Sequence, residues 1–301
     1  MPLNSPTDDS KASPKTGDLY VVATPIGNRN DITLRALDIL GRVDFIAVED
    51  TRHTGRLLAY HKIKGNLIAY HEHNEARRTP DLVNKLKAGS SIALVSNAGT
   101  PSVSDPGYRL VNAAIVCGIK VIPIPGVSAV VSALSVAGLP TDAFVFVGFP
   151  AKKKAQRLKQ IELLAHESKT IIFYQSPRRI LTFLQEITAI MGDRYAVLGR
   201  EMTKQYEEFI RGHLSVIHSR LKTRPAIKGE CTLLVMGCEK DQSVSMATAK
   251  DELALKLATT NSSLSGLAKE LAQKYGLPKN KIYEEALKLK HKGKSVKLKS
   301  K

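Results

Sequence analysis

The chain has 301 residues, which is long for one domain and sufficient for two domains that each bury a core. Its 43% hydrophobic and 24% charged residues are typical of a soluble globular protein, and no apolar run approaches the roughly 18 residues that a membrane span needs. The net charge of +17 favours a polyanionic partner, with nucleic acid first, over a lysine-rich surface that serves solubility alone.

The beginning of the chain and its cysteines indicate a compartment. Residues 1–16 have no apolar core, match neither a secretory signal nor a strand, and are expected to form a disordered tail. Cys117, Cys231 and Cys238 show no CxxC spacing and lie in or beside apolar runs. This usage suits buried thiols in a reducing compartment, so a cytoplasmic location without disulfide or metal is expected.

The first half of the chain alternates short β-branched runs with helical patterns, which is typical of βαβ units in a largely parallel sheet. The predicted strands are 19–23, 45–48, 67–70, 92–96 and 121–124. The predicted helices are 33–40, 51–60, 80–87, 108–117 and 127–137. We therefore expect a first α/β domain over residues 17–140.

A second α/β domain is expected over residues 141–240. Its predicted strands are 144–147, 170–174, 195–198 and 231–236. Its predicted helices are 154–166 and 177–191, and the second of these has Ser176 as a cap and Pro177 in its first turn.

Residues 241–291 show no strand pattern and are expected to form a small helical appendage. The predicted helices are 249–257, 263–275 and 279–291, and the turn at 275–278 resembles a helix-turn-helix corner. Nine lysines against two glutamates follow from residue 276 onward, so residues 292–301 are expected to form a flexible basic tail that attracts phosphate.

Three loops rich in small residues follow predicted strands of the first domain. The longest, 97–107, consists of two successive turns, and the others are 24–28 and 123–129. Ligands of open α/β sheets bind outside the carboxyl ends of the strands, where such loops let backbone approach closely. A plain double turn is the alternative at 97–107, and neither a dinucleotide fingerprint nor a P-loop is present.

Charged residues also follow strand ends. Asp50 either acts at the mouth of a cleft or caps the helix that starts at Thr51. His71 and His73 suggest a metal, but they lack the i, i+4 spacing of a zinc helix, so no metal is expected. Basic residues at 152–154, 157, 178 and 179 suit either substrate phosphate or a solvated helix face.

Six motifs, in this order along the chain, resemble the ribosomal RNA small subunit methyltransferase I family of the tetrapyrrole methylase superfamily. They are the sequences at 23–28, 49–54, 70–74, 98–101, 104–108 and 125–129, and the similarity extends from residue 19 to residue 235. Asn97 departs from the family, which usually has Asp there.

The resemblance implies two α/β domains of the tetrapyrrole methylase type, with S-adenosylmethionine in the cleft between them, and a homodimer. It implies methyl transfer to the 2'-hydroxyl of a cytidine in the decoding region of 16S ribosomal RNA, either naked or in the small ribosomal subunit. The residues that it assigns to the cofactor are Pro25, Asn97, Ala98, Gly99, Ser128, Ala129, Phe173 or Tyr174, and Cys231.

A 2'-hydroxyl needs a base to take its proton. The candidates are Asp50, Asp105, Glu201 and Lys204, the last if its pKa is depressed. The residues expected to bind RNA phosphates are Arg29, Arg52, Arg56, Arg178 and Arg179. Two other functions stay open: methylation of a tetrapyrrole or another small molecule, against which the positive charge argues, and a non-catalytic RNA-binding protein of ribosome assembly in which Asn97 marks a decayed cofactor site.

Overall fold

A computed structural model describes residues 16–238, 242–259, 263–275 and 277–297. Residues 1–15 of the predicted tail and residues 298–301 of the predicted basic tail lie outside the described residues. The chain divides into two compact units, Met1–Gly237 and Cys238–Lys301. Both sheets belong to the first unit.

The first sheet is parallel throughout, with the strand order β3-β2-β4-β1-β5. Its strands are β1 (Leu19–Val22), β2 (Phe45–Val48), β3 (Leu67–Ala69), β4 (Ile92–Val95) and β5 (Val121–Ile124). The helices between and after them are α1 (Leu34–Arg42), α2 (Thr51–Tyr60), α3 (Glu75–Lys87), α4 (Tyr108–Val116) and α5 (Ala129–Ala137). The predicted strands and helices of this half are therefore present.

The central strand β4 shows why this sheet needs helices on both faces. All four of its residues are buried, as expected for a strand covered on both sides. Ile92 and Leu94 pack into one apolar cluster, and Ala93 and Val95 pack into another. Because side chains alternate along a strand, the two clusters lie on opposite faces.

The second sheet is mixed, with the order β6-β7-β10-β8-β9. Its strands are β6 (Phe144–Gly148), β7 (Thr170–Gln175), β8 (Tyr195–Arg200), β9 (Glu208–His213) and β10 (Cys231–Val235). Its helices are α6 (Lys154–Leu163), α7 (Ile180–Met191) and α8 (Leu214–Lys222). Strand β9 and helix α8 were not predicted from the sequence.

The direction of β10 decides where the second sheet presents functional groups. The strand runs antiparallel to both neighbours, and Cys231 pairs with Gln175 of β7 and with Arg200 of β8. The start of β10 therefore lies at the same edge of the sheet as the ends of β7 and β8.

Two predicted helix starts are wrong. Helix α3 begins at Glu75 rather than at Pro80, because the Asn74 carbonyl already accepts the N–H groups of Arg77 and Arg78, and Pro80 lies inside the helix. Helix α7 begins at Ile180, and Ser176 does not cap it. The Ser176 carbonyl instead accepts the Arg179 N–H at 3.0 Å, which closes a separate turn before the helix.

An ion pair between two helices corrects one predicted phosphate contact. Arg157 on α6 donates two hydrogen bonds, of 2.7 and 2.8 Å, to Glu186 on α7. The two side chains are only 11% and 9% exposed. Arg157 is therefore a structural cation and not a free contact for substrate.

The described residues of the second unit form three helices around an apolar cluster. They are α9 (Gln242–Thr259), α10 (Leu264–Tyr275) and α11 (Lys279–Lys297). Leu253, Leu271 and Ile282 of the three helices meet in that cluster. Helix α11 continues past residue 292, where the sequence predicts a tail. Within the described ranges, none of the helices is long and apolar enough to cross a membrane.

Candidate active site

Two adjoining cavities lie where the carboxyl ends of the first sheet meet the second sheet. The first cavity has a volume of about 310 Å³, and the second has about 420 Å³. Ile26, Ala98 and Glu230 line both, so the cavities share one border. Of the residues predicted to bind cofactor, Ala98, Gly99, Ser128, Ala129, Tyr174 and Cys231 line the first cavity, whereas Pro25, Asn97 and Ala98 line the second.

Backbone hydrogen bonds fix the loops that form this border. Thr24 and Gly99 exchange two backbone hydrogen bonds of 2.9 Å each, which joins the loop after β1 to the loop after β4. The Thr24 hydroxyl also donates to the Ser96 carbonyl at 3.1 Å. Gly99 has a φ of +81°, a backbone conformation that favours glycine. The two loops predicted to approach a ligand are therefore held as one unit.

The loop 100–107 is held in an unusual backbone conformation. Ser102 and Ser104 have φ values of +70° and +63°, a region that few residues other than glycine adopt. A Cβ atom on Gly148 of β6 would lie 2.6 Å from the Ser104 hydroxyl. This close approach brings the loop of the first sheet against the second sheet, with Asp105 in the wall of the first cavity.

Asp105 is the candidate base whose electrostatics suit proton transfer. Burial, followed by the negative charge of Glu49, raises the pKa of the Asp105 carboxyl to about 6, against a hydrogen bond from Ser96 that lowers it. A carboxyl with a pKa near 6 is largely ionised at neutral pH and is a stronger base than an ordinary carboxylate. Asp105 can therefore accept a proton from a ligand in the first cavity.

Asp50 lines the second cavity, but its carboxylate caps helix α2. Its Oδ1 accepts the Arg52 N–H at 2.8 Å and the His53 N–H at 3.4 Å, the pattern of a helix cap. These hydrogen bonds, led by that from Arg52, lower the pKa of the Asp50 carboxyl. Of the two interpretations that the sequence left open, the structure favours the cap.

Lys204 and Glu201 form an ion pair with each other. Lys204 Nζ lies 2.8 Å from Glu201 Oε1 and 3.3 Å from Glu230 Oε2. Burial lowers the pKa of Lys204, but its contacts with Glu201 and Glu230 outweigh burial and leave that pKa above its ordinary value. The condition on which Lys204 was a candidate base is therefore not met. The same pair, against the effect of burial, lowers the pKa of Glu201.

The five predicted RNA-binding arginines do not lie together. Arg29 and Arg56 line the second cavity. Arg52 lines neither cavity, and its 86% exposed side chain lies 3.6 Å from Asp50. Arg178 and Arg179 follow β7, next to Pro177 of the first cavity, but line neither cavity themselves.

Of the two residues on β7 that were predicted to bind the cofactor, Tyr174 lines the first cavity. Phe173 is fully buried and packs edge-on against Phe183 of α7, so its side chain does not line a cavity. Alternation along the strand accounts for the difference. Burial raises the pKa of the Tyr174 phenol to about 12 and that of the Cys231 thiol to about 11, so both line the cavity as neutral groups.

Asn97, the position that departs from the family, carries a buried acceptor without a partner. Its Oδ1 is inaccessible to solvent and has no hydrogen bond, while its backbone N–H lies 3.4 Å from Glu49 Oε2. A buried polar atom without a partner is costly for stability, and Asn97 lines the second cavity and not the first.

The sequence analysis missed Glu230 as a site residue although it lines both cavities. Glu230 comes directly before a predicted strand. In a parallel sheet the strand starts lie at the edge opposite to the one where ligands bind, so this position did not indicate a site. The antiparallel direction of β10 brings Glu230 to that edge. Phe149 and Met202 of the first cavity and His53 of the second were also missed.

The two histidines that suggested a metal have other partners. Asn74 Nδ2 lies 3.0 Å from His71 Nε2, and the His71 and His73 rings stack edge to face. Across the described ranges, no three His, Cys, Asp or Glu side chains are grouped so that they could hold a metal ion.

Comparison with known proteins identifies the family. Residues 18–218 match the Tetrapyrrole (Corrin/Porphyrin) Methylases. Ribosomal RNA small subunit methyltransferase I of Haemophilus influenzae is 45% identical, over 90% of this chain and 97% of the relative. The Vibrio cholerae protein of the same name is also 45% identical, over 93% and 98%. The chain belongs to the ribosomal RNA small subunit methyltransferase I family.

This tetrapyrrole methylase fold recurs in solved structures. The uroporphyrin-III C-methyl transferase of Thermus thermophilus, solved with S-adenosyl homocysteine, superposes with a TM-score of 0.53 at 17% identity, over 72% of this chain and 97% of that one. Its family membership makes this protein a methyltransferase.

The residues of the first cavity fit S-adenosylmethionine. Its volume lies at the lower end of the roughly 300–1,000 Å³ common for ligand sites. Ala98, Ala129 and Tyr174 offer apolar surface, and the Gly99 backbone can approach a ligand because that residue has no side chain. These residues would hold the cofactor with Asp105 in the same wall.

Proposed function

We propose that the protein methylates the ribose 2'-hydroxyl of a cytidine in the decoding region of 16S ribosomal RNA. The observation that carries this proposal is a carboxylate, Asp105, whose pKa of about 6 suits a base, in the wall of a cofactor-sized cavity that adjoins an arginine-lined one. The name of the relatives and the net charge of +17 support RNA as the acceptor.

When bound, the cofactor supplies an electrophilic methyl group on a sulfonium. Ala98, Gly99, Ala129 and Tyr174 would hold the cofactor, and Asp105 would take the proton of the ribose hydroxyl that accepts the methyl group. Backbone hydrogen bonds join the loops around Thr24 and Gly99, so this wall of the site is fixed before ligands bind, and holding reactants in place supplies a large share of the acceleration in such transfers. Tyr174 and Cys231 stay protonated at neutral pH, so neither presents an anionic nucleophile that would compete with the ribose oxygen.

Incubation with labelled S-adenosylmethionine tests the acceptor. Deproteinised 16S ribosomal RNA, intact small subunits and a tetrapyrrole precursor are offered separately, and the nucleosides are analysed by mass spectrometry. We expect 2'-O-methylcytidine from at least one of the two RNA samples, formed far more slowly with Asp105→Asn. Label in the tetrapyrrole sample alone would establish the small-molecule alternative, and no label anywhere would contradict the proposal.

Titration of the cofactor tests its placement. Asn97 directly precedes Ala98 and Gly99, which line the first cavity, so Asn97→Ala alters the loop that would hold the cofactor, and we expect S-adenosylmethionine to bind about tenfold more weakly. Equal affinity would remove the cofactor from this loop, and no binding to the wild-type protein would favour a non-catalytic RNA-binding protein. The homodimer and the cytoplasmic location remain predictions.

A further inference from the structure

The second cavity carries positive charge that the protein itself does not neutralise. Arg29 and Arg56 line it, and within the described parts of the chain neither forms an ion pair. The acids in the same wall are compensated, because Asp50 accepts backbone N–H groups and Glu230 faces Lys204. The cavity therefore offers two guanidinium groups to an anion.

Arg29 is held in place without losing its charge. Its guanidinium carbon lies 5.1 Å from the centre of the Tyr60 ring, a cation–π contact. The Tyr60 hydroxyl donates to Asn30 Oδ1 at 3.2 Å, and His61 Nε2 lies 3.1 Å from the Arg29 carbonyl. These contacts restrain the loop after β1 against helix α2, which also carries Arg56.

The border with the first cavity indicates which anion fits. On a ribose, the 2'-hydroxyl and the 3'-phosphate are attached to neighbouring carbons. When an enzyme methylates the hydroxyl, that phosphate therefore lies directly beside the cofactor cavity. The second cavity occupies this position, since Ile26, Ala98 and Glu230 belong to both cavities. Arginine is also well suited to phosphate, which it can bind through two parallel hydrogen bonds.

We propose that the second cavity is the subsite for the phosphodiester on the 3' side of the acceptor nucleotide, and that Arg29 and Arg56 bind it. This proposal rests on the proposed function, because it assumes a ribose acceptor. The sequence predicted phosphate binding for five arginines without distinguishing them. In this proposal Arg29 and Arg56 bind the acceptor's own phosphate, and Arg52, Arg178 and Arg179 do not.

Arginine variants and a modified RNA test the subsite. Arg29→Ala, Arg56→Ala and the double variant are titrated with a labelled, cytidine-containing RNA oligonucleotide of the decoding region, by fluorescence anisotropy. Arg42→Ala is the matched control, because it removes the same charge from an exposed residue that pairs with Asp38 and lines neither cavity. We expect Kd to rise about tenfold for each cavity arginine, and not for the control.

A second oligonucleotide, with an uncharged methylphosphonate linkage 3' to the cytidine, makes the test specific. We expect the wild-type protein to bind this oligonucleotide more weakly than the unmodified RNA. The double variant should bind the two oligonucleotides equally well, because the modified linkage and the arginine substitutions remove the same interaction. For the wild-type protein, the magnitude of the slope of log Kobs against log salt should be smaller by about 0.7 with the methylphosphonate oligonucleotide, because one phosphate contact is lost.

The outcomes separate the two proposals. If the wild-type protein methylates and binds RNA but the double variant matches Arg42→Ala, the subsite is wrong and the proposed function stands. Additive losses from the methylphosphonate and the double variant would also overturn the subsite. If the wild-type protein neither binds nor methylates RNA while it binds S-adenosylmethionine, the proposed function itself fails.

Discussion

Lys204 Nζ lies 2.8 Å from Glu201 Oε1, and this ion pair spans a loop in which Glu201 and Thr203 have φ values of +52° and +64°. Both values are costly for residues other than glycine. Further contacts restrain the loop, because Thr203 Oγ1 accepts the Asn28 N–H at 3.0 Å and Glu201 Oε1 accepts the Glu230 N–H at 3.0 Å. The pair therefore supports the loop that faces both cavities.

The first prediction concerns Lys204→Met. Loss of the ammonium leaves the partly buried Glu201 carboxylate without its cation, so we expect the free energy of unfolding to fall by about 1–2 kcal/mol, measured by urea denaturation. The pH profile of methyl transfer should keep its shape between pH 5 and 9, a range that covers the Asp105 titration near pH 6 and extends upward to where a lysine with a depressed pKa would titrate. If the wild-type rate rose with a lysine's titration and the Lys204→Met variant did not show that rise, Lys204 would again be the candidate base.

Asp105 sets the pH dependence in the second prediction. Because its pKa is raised to about 6, the fraction of active carboxylate should increase through pH 6 and level off above it. We expect the rate of methyl transfer in single turnovers to follow that curve. Asp105→Asn should lower the rate by about 10²–10⁴-fold without changing cofactor affinity, since the amide cannot accept the proton.

The same carboxylate should cost stability when it is ionised. Folding raises its pKa from 3.8 to about 6, so the free energy of unfolding falls as the pH rises through this interval. Solvent still reaches the group, which reduces the effect, and we expect Asp105→Asn to be more stable than the wild type by on the order of 1 kcal/mol at pH 7.5. If the stability difference between Asp105→Asn and the wild type were the same at pH 7.5 and at pH 4, the raised pKa of Asp105 would be contradicted.

The first sheet could be predicted from sequence because its signals are local. Strand β2 and helix α2 were predicted with the bounds that the structure has, since a β-branched run is followed directly by the Asp50 cap. The loop 97–107 stood out for the same reason, as small residues at a strand end. The second sheet was harder because strand direction depends on partners that are distant in the chain.

Three site assignments show this limit. Glu230 reaches the site only because β10 is antiparallel, and Arg157 is unavailable only because Glu186 on another helix binds it. Phe173 and Tyr174 could not be distinguished until the packed face of β7 was known. In each case the sequence shows the chemistry of the side chain, whereas the fold decides which groups it contacts.

The third prediction concerns the buried pair of Arg157 and Glu186. Glu186→Gln leaves a buried guanidinium without its counter-charge, so we expect a loss of about 3–5 kcal/mol at pH 7. The hydrogen bond from Arg157 lowers the pKa of Glu186, so the wild type should lose this contribution as the pH falls below 4.5 towards that folded-state pKa. Asp38→Asn, which breaks the exposed pair with Arg42, is the control and should cost less than about 1 kcal/mol.

Two glycines give the fourth prediction. A Cβ atom on Gly27 would lie 2.5 Å from Lys204 Cγ and 2.7 Å from Thr203 Oγ1, so Gly27→Ala must push apart two loops that line the second cavity. We expect the variant to lose about 1–3 kcal/mol of stability. The salt-dependent affinity for RNA should fall with it, as this loop also carries Arg29.

Gly41 provides the matched control, since it lies within helix α1 and a Cβ there meets nothing within 4 Å. Gly41→Ala should therefore stabilise the protein by about 0.5–1 kcal/mol, because alanine loses less backbone entropy in a helix. Urea denaturation of both variants gives the comparison, and RNA titration shows whether the cavity changes. If Gly27→Ala proved as stable as the wild type with unchanged RNA affinity, the loop after β1 would not be packed against the loop 201–204 in solution.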